Sequence, residues 1–221
     1  MAWPLFHTVK QARRAEFIRD YRWPPGLLDK LAKRYPQFTR KETALVSQGL
    51  RQFFMAYLRS GRQYVAMPSQ VADDLWHEFI LYTREYRHFC DKAFGRFFHH
   101  TPAVVLSPAH KASNAGLRRV WWHCCKEEGI HPVKPTRLPL LFALDVKYNI
   151  PNGYVYHPDC AQLRQSGVAG AQCGGDFGRS SIDGGTDGFG HSGSDASGSD
   201  DSGSGGDGGG CGGGCGGGGG D

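Results

Sequence analysis

WHEFILYTREYRHFC, residues 76–90, decides the predicted fold, because its apolar residues recur at helical spacing. Ser69 can cap this helix and Gly95 can end it, so the sequence predicts one long helix over roughly 69–93. Polar side chains share one face of the helical wheel, namely Asp73, His77, Arg84 and His88. The opposite face should enter a core with Val71, Leu75, Phe79, Tyr82, Tyr86, Phe89 and Cys90.

The His77-Glu78 pair raises the question of a zinc-protease helix. Such a helix needs His-Glu-x-x-His, because two imidazoles four residues apart share one face and bind one metal ion. The residue four positions after His77 is Leu81. The spacing therefore excludes the protease motif.

Helical signals also occur on both sides of this stretch. The sequence predicts helices near 8–21, 26–35, 108–127 and 139–148, and a helix with a capping box that begins after Thr39 and ends at Ser60-Gly61. The best strand signal is short and covers Tyr154 to Tyr156. The predicted fold class is therefore mainly α, with a single helical domain over residues 1–160.

Residues 161–221 form a separate segment that is rich in Gly, Ser and Asp. It contains 25 of the 32 glycines and carries a formal charge of −6, which leaves +11 for residues 1–160. With so few large apolar residues it cannot bury enough surface to offset its ordering entropy, so we expect a disordered tail. Its terminal GGGCGGGCGGGGGD suggests a solubilising or interaction tail, azole modification, or capture of a soft metal ion by two thiols.

The basic character of residues 1–160 leaves two interpretations of partner open. Such a surface could attract nucleic acid or anionic lipid, but dispersed Lys and Arg also describe an ordinary solvated surface. No signal peptide or membrane-spanning run is found, and seven cysteines, two of them adjacent, suit reduced thiols. We therefore expect a cytoplasmic protein.

The first candidate metal site combines the predicted long helix with the His-His segment that follows it. Asp73 lies one turn before His77, whereas His77 and His88 are eleven residues apart, roughly 16 Å along a helix, and cannot share an ion. Adjacent residues of an extended segment point to opposite sides, so only one of His99 and His100 can turn back toward the helix. With Cys90 or a carboxylate as a further ligand, His77 or His88 and one of these two histidines could bind a transition metal such as zinc. The alternative is that backbone hydrogen bonds satisfy the cluster.

A second candidate cluster lies where the body meets the tail. His157 and Cys160 have the spacing of a zinc half-site, and Cys173 follows thirteen residues later. An unligated turn is the alternative for these three residues.

The spacing of several residues in this helix resembles the glycine-rich domain-containing protein family. The pattern consists of Trp76-His77, Leu81, Tyr86, Cys90 and Gly95-Arg96, with Phe79 where the family often has a second His. The resemblance covers about 35 residues and implies a helical body with a Gly-rich tail, without implying a reaction.

Together these observations predict a binding or scaffold protein without a defined reaction, whose partner is another protein. The alternative is a metal-binding protein or metalloenzyme that uses the Trp-His helix and the His-His segment, and nucleic acid is a further candidate partner. Whether the chain is an enzyme stays open at this point.

Overall fold

The computed structural model describes residues 3–101, 114–158 and 172–178, and these residues are mainly helical, as the sequence predicts. The predicted tail lies outside the described residues, apart from 172–178. In chain order the elements are α1 (Trp3–Asp20), α2 (Leu27–Arg34), α3 (Arg40–Arg59), α4 (Gln70–Leu81), α5 (Thr83–Ala93), α6 (Ala115–Glu127), α7 (Leu140–Lys147), β1 (Tyr156–His157), β2 (Gln172–Cys173) and α8 (Gly174–Phe177).

The helix boundaries follow the predicted start and stop signals. The Glu42 N–H donates to Thr39 Oγ1 at 3.3 Å, and the Thr39 N–H donates to Glu42 Oε2 at 2.7 Å, which completes the capping box of α3. Ser69 caps α4 by accepting from the Ala72 N–H. Gly61 follows α3 with a φ of +70°. Glycine is favoured at this position because it adopts the left-handed conformation without steric cost.

The single helix predicted over 69–93 is wrong, because the chain breaks at Tyr82 into α4 and α5. Tyr82 has φ −80° and ψ 64°, and its N–H donates to the Phe79 carbonyl in place of the carbonyl four residues back. The Tyr82 hydroxyl donates to the carbonyl of Pro25, which anchors the break to the turn before α2. Tertiary contact therefore overrides a periodicity that is continuous in sequence.

Helix α3 is the centre of the core. It contacts α1, α2, α4, α6 and α7, so apolar side chains surround it on most sides. A Cβ on Gly49 would lie 2.5 Å from a methyl carbon of Leu144, and the absence of a side chain there lets α7 approach α3 closely. The largest fully buried side chains around this centre include Phe53, Phe54, Phe79, Phe89, Phe94, Trp121 and Phe142.

The start of α4 is held by Asp145, a buried carboxylate on α7. Asp145 accepts hydrogen bonds from the Ser69 hydroxyl at 2.8 Å and from the backbone N–H groups of Gln70 and Tyr154, at 2.7 and 2.9 Å. A carboxylate at a helix N-terminus also interacts favourably with the helix dipole. Asp145 therefore sets the position of the turn of α4 that carries Asp73.

The strand content is limited to one small parallel pair in the described residues. Tyr156 pairs with Gln172, and His157 pairs with Cys173. The predicted strand at Tyr154 to Tyr156 thus overlaps the observed β1 at Tyr156. No helix among residues 3–101, 114–158 and 172–178 has the length and hydropathy that a membrane span requires.

Candidate metal centre

A cleft of about 840 Å³ opens beside the N-terminal half of α4. Its walls are the connection 62–67 between α3 and α4, the α4 face that carries Asp73, and the segment 96–101 after α5. Tyr57 and Tyr154 add an aromatic side chain each. The cleft therefore joins the polar face of α4 to the His-His segment, as the first candidate site requires.

Three side chains of types that can bind metal ions converge on one wall of this cleft. His100 Nε2 lies 3.0 Å from Asp73 Oδ1, and His77 Nδ1 lies 3.6 Å from Asp73 Oδ2. The imidazole rings of His77 and His100 have their centroids 4.3 Å apart. One donor atom from each residue lies within 4.8 Å of the other two.

Local structure explains why these side chains meet. Asp73 lies in the first turn of α4 and His77 one turn later, so both project from the same face of the helix. His100 reaches them because the segment 96–101 is anchored by Tyr86, whose hydroxyl donates to the Phe98 carbonyl. The Trp76 indole N–H in turn donates to Tyr86 Oη at 3.1 Å.

The Trp76 ring orients the histidine of the returning segment. Its centroid lies 4.9 Å from that of Phe98 and 4.7 Å from that of His100. Trp76 is almost fully buried, whereas the side chains of Asp73 and His100 are 20% and 19% exposed. The cluster of Asp73, His77 and His100 is therefore accessible to small solutes, whereas Trp76 behind it belongs to the core.

These three side chains form a donor set that metal ions use. Two imidazole nitrogens and one carboxylate oxygen occur in catalytic zinc sites and in non-haem iron(II) sites. Bonds of 2.0–2.1 Å in a tetrahedral arrangement place donor atoms about 3.4 Å apart. His100 Nε2 and Asp73 Oδ1 lie 3.0 Å apart, whereas the set of three donor atoms lies within 4.8 Å, so binding of one ion requires a small closure of the side chains.

The other members of the first candidate site lie elsewhere. His88 is exposed on α5 and does not line the cleft. Cys90 is fully buried in the core, and this burial raises the pKa of its thiol. His99 lines the cleft, but its ring packs on Phe97 with centroids 4.7 Å apart. The structure thus brings Asp73, His77 and His100 together, and it separates His88 and Cys90 from them.

The second candidate cluster is only partly described. His157 and Cys173 lie opposite each other in the β1–β2 pair, while Cys160 lies outside the described residues. Cys173 is disulfide-bonded, so its sulfur is not a free thiolate, and the expectation of reduced thiols is wrong for this residue. The free cysteines in the described part of the chain are Cys90, Cys124 and Cys125.

Two arginines of the cleft were missed in the sequence. Arg62 and Arg96 line it, and Arg96 donates through Nε to the Tyr57 hydroxyl at 3.1 Å. Arg96 was noted only as part of the Gly95-Arg96 pattern, and no local signal relates it to Arg62, since the two residues are 34 positions apart on irregular segments. Only the approach of segment 96–101 to connection 62–67 makes them neighbours, with a hydrogen bond from Arg96 to the Arg62 carbonyl.

The fold and the site define a mainly helical protein with an open Asp-His-His cluster. The model of the UCP032817-like family matches residues 13–177, which include every element from α2 to α8 and the whole cluster. The chain belongs to this family, which is uncharacterised. No curated protein and no solved structure matches the chain.

This match overturns the resemblance to the glycine-rich domain-containing proteins, which is wrong. That resemblance depended on about 35 residues around one predicted helix. The structure gives a physical reason for their spacing, since Trp76 and Tyr86 are joined by a hydrogen bond and Cys90 is packed in the same core. The spacing of these residues therefore reflects the packing of two consecutive helices.

Proposed function

We propose that the chain is a metal-binding protein that holds one divalent transition metal ion, zinc or iron(II), on Asp73, His77 and His100. The observation that carries this proposal is the convergence of three donor atoms, one from each residue, within 4.8 Å in an accessible cleft. One-turn spacing on α4 brings His77 to Asp73, and it is the arrival of His100 from a distant segment at the same carboxylate, 3.0 Å away, that completes a three-residue donor set.

Three protein ligands leave coordination positions free, and all three residues line the cleft. A zinc or iron(II) ion with open positions can bind water or a substrate oxygen, whereas structural zinc sites are closed by four protein ligands. The His77 side chain is 49% exposed, which supports entry of the ion from the cleft. The proposed site therefore has the form of a reactive or ligand-binding metal centre.

Elemental analysis of the full chain, purified without a metal-affinity tag and then supplied with zinc or iron(II), tests the proposal. We expect about one ion per chain, and loss of at least about 100-fold in affinity for D73N, H77A and H100A. This loss exceeds the 10- to 100-fold effect of residues outside the first ligand layer. H99A is the matched control, since His99 is adjacent to His100 and lines the same cleft.

Two outcomes would remove the proposal. One is a wild-type chain that binds no ion after zinc and iron(II) have been supplied. The other is H100A with the affinity of H99A, which would show that the imidazole facing Asp73 is not a ligand.

The second candidate function is a binding or scaffold protein with a protein partner. Tyr154 at the cleft and the adjacent Val155 support it, since their side chains are apolar and exposed. Double substitution of Tyr154 and Val155 by Ser should abolish partner capture without altering metal content. A cytoplasmic location stays a prediction, and the disulfide of Cys173 argues against it, because disulfides are rare in cytosolic proteins.

A further inference from the structure

We infer that the cleft binds an organic anion, a carboxylate or phosphate ester, whose charged group is held by Arg62 and Arg96. The inference rests on the proposed metal function, since it assigns the ligand class for the cleft in which that ion lies. It depends on the charge balance of the cleft, on the free donors of the two guanidinium groups, and on the aromatic row between them and the metal ligands.

The charge balance of the cleft favours an anion. Asp73 is the one carboxylate among the described residues that line it, and its two oxygens face His77 and His100. Arg62 and Arg96 line the same cleft, and neither forms an ion pair with a carboxylate in the described ranges. A metal ion on Asp73 would add further positive charge, so an anionic ligand would complete the site.

Both guanidinium groups are held in place and keep donors to spare. Arg62 donates through one Nη1 hydrogen to the Phe94 carbonyl at 3.0 Å, and Arg96 donates to Tyr57 and to the Arg62 carbonyl. Within the described part of the chain, the Nε and Nη2 of Arg62 and the Nη1 of Arg96 make no hydrogen bond. Arginine has five N–H donors in a fixed fork that matches the oxygens of a carboxylate or phosphate.

The backbone of Arg62 supports a role for its side chain. Its φ is +64°, a left-handed conformation that a residue with a long side chain seldom adopts. The Arg62 N–H donates to the Tyr57 carbonyl at 2.9 Å, which holds the chain in this conformation at the end of α3. Strained residues of this kind are concentrated at ligand-binding sites.

An aromatic row connects the two ends of the cleft. The Tyr57 ring, beneath the Arg96 guanidinium, stacks on Phe98 with centroids 3.7 Å apart. Phe98 packs on Trp76, and Trp76 packs on His100. A ligand that reaches from the arginines to the metal ligands would therefore lie along an apolar floor, which favours an organic anion over free inorganic phosphate.

Isothermal titration of the zinc-loaded full chain with matched probes tests the inference. Phenyl phosphate and phenylacetate carry the two anionic groups on the same ring, and 2-phenylethanol is the neutral analogue. We expect one or both anions to bind and the neutral analogue not to. R62Q and R96Q should weaken the anion by about 10- to 100-fold, as expected for loss of hydrogen bonds to a charged group.

Matched variants separate this inference from the metal proposal. R84Q is the control, since Arg84 is exposed on α5 outside the cleft, and it should bind like the wild type. R96K keeps the charge without the planar fork, so it should bind between wild type and R96Q, and it serves if R96Q fails to fold. Zinc content is measured in every sample, because zinc binding without anion binding overturns this inference alone.

Binding of phenyl phosphate alone would assign the ligand to the phosphate esters, and binding of phenylacetate alone would assign it to the carboxylates. Either result supports the inference. Equal affinity for the neutral analogue, no binding of either anion at millimolar concentration, or unchanged affinity in both R62Q and R96Q would overturn it.

Discussion

Helices α4 and α5 come from one apolar-periodic stretch, yet they place their polar faces in different surroundings. On α4, Asp73 and His77 meet His100 across a cleft. On α5, Arg84 and His88 are exposed to solvent. Both helices bury apolar side chains in the core, with Phe79 and Phe89 fully buried. The difference shows that a helical wheel identifies the core face, whereas the function of the polar face depends on what the rest of the chain brings to it.

The largest expected effect concerns the face that the two helices share. Phe89→Ala should lower the free energy of unfolding by about 3–5 kcal/mol, because it leaves a cavity among Phe54, Phe79 and Phe94. His88→Ala, at the exposed neighbouring residue, is the control and should change the free energy of unfolding by less than about 0.5 kcal/mol. Urea unfolding measures both, and similar losses would show that α5 does not pack as described.

The second effect concerns the start of α4, for which α5 has no counterpart in the described residues. Asp145→Asn should cost about 3 kcal/mol, because an amide has one acceptor oxygen and its NH₂ group faces one pair of donors, either those of Ser69 and Val71 or those of Gln70 and Tyr154. Unfolding monitored by circular dichroism gives the loss of stability. Asp29→Asn provides a comparison at an exposed carboxylate in the first turn of α2, and an equal loss there would contradict the role of Asp145.

The third effect tests whether the polar face of α4, and not that of α5, binds the metal ion. Zinc at about 100 times its dissociation constant should stabilise the wild type by about 2.7 kcal/mol, because the folded state alone presents the Asp73 site. Thermal unfolding with and without chelator measures this stabilisation. His77→Ala on α4 should abolish it and His88→Ala on α5 should keep it; the reverse pattern would move the site to α5.

The fourth effect concerns His123 on α6, which lies outside the cleft. Burial, with a smaller contribution from Arg59, lowers the pKa of His123 from 6.5 to about 4. His123 does not lower the free energy of unfolding above pH 6.5. The free energy of unfolding falls as the pH decreases from 6.5 toward 4, because the unfolded state takes up the proton first. We expect a loss of about 2 kcal/mol, which is absent in His123→Gln. Denaturant titrations at pH 7 and pH 4.5 test it, and parallel curves for the two proteins would refute it.

The smallest effect concerns the hydrogen bonds that join the two helices to segment 96–101. Tyr86→Phe removes the hydroxyl that accepts from Trp76 and donates to the Phe98 carbonyl. The expected cost is about 1–2 kcal/mol, since two buried groups lose their partner. Zinc affinity should also fall, because His100 follows Phe98 by two residues. Tyr82→Phe, which removes a hydroxyl at the helix break, should leave zinc affinity unchanged.

Much of the fold could be predicted because its signals are local. The capping box at Thr39, the cap at Ser69 and the stop at Gly95 depend on residues a few positions apart, and the structure confirms all three. The break at Tyr82 could not be predicted, since its anchor, the Pro25 carbonyl, is 57 residues away. Asp145 was missed for the same reason, because its partners lie 74 to 76 residues earlier or on the far side of a turn.

For the candidate site, the sequence by itself determined which residue types could act and which could not act together. One-turn spacing paired Asp73 with His77, eleven residues separated His77 from His88, and alternation allowed only one of His99 and His100 to turn back. The tertiary structure decided that this residue is His100, that Cys90 belongs to the core, and that Arg62 and Arg96 share the cleft. The physical reason is the sequence distance over which each signal acts. Helical spacing relates residues one or two turns apart, whereas a cleft forms where distant segments pack together, and this packing depends on every side chain between them.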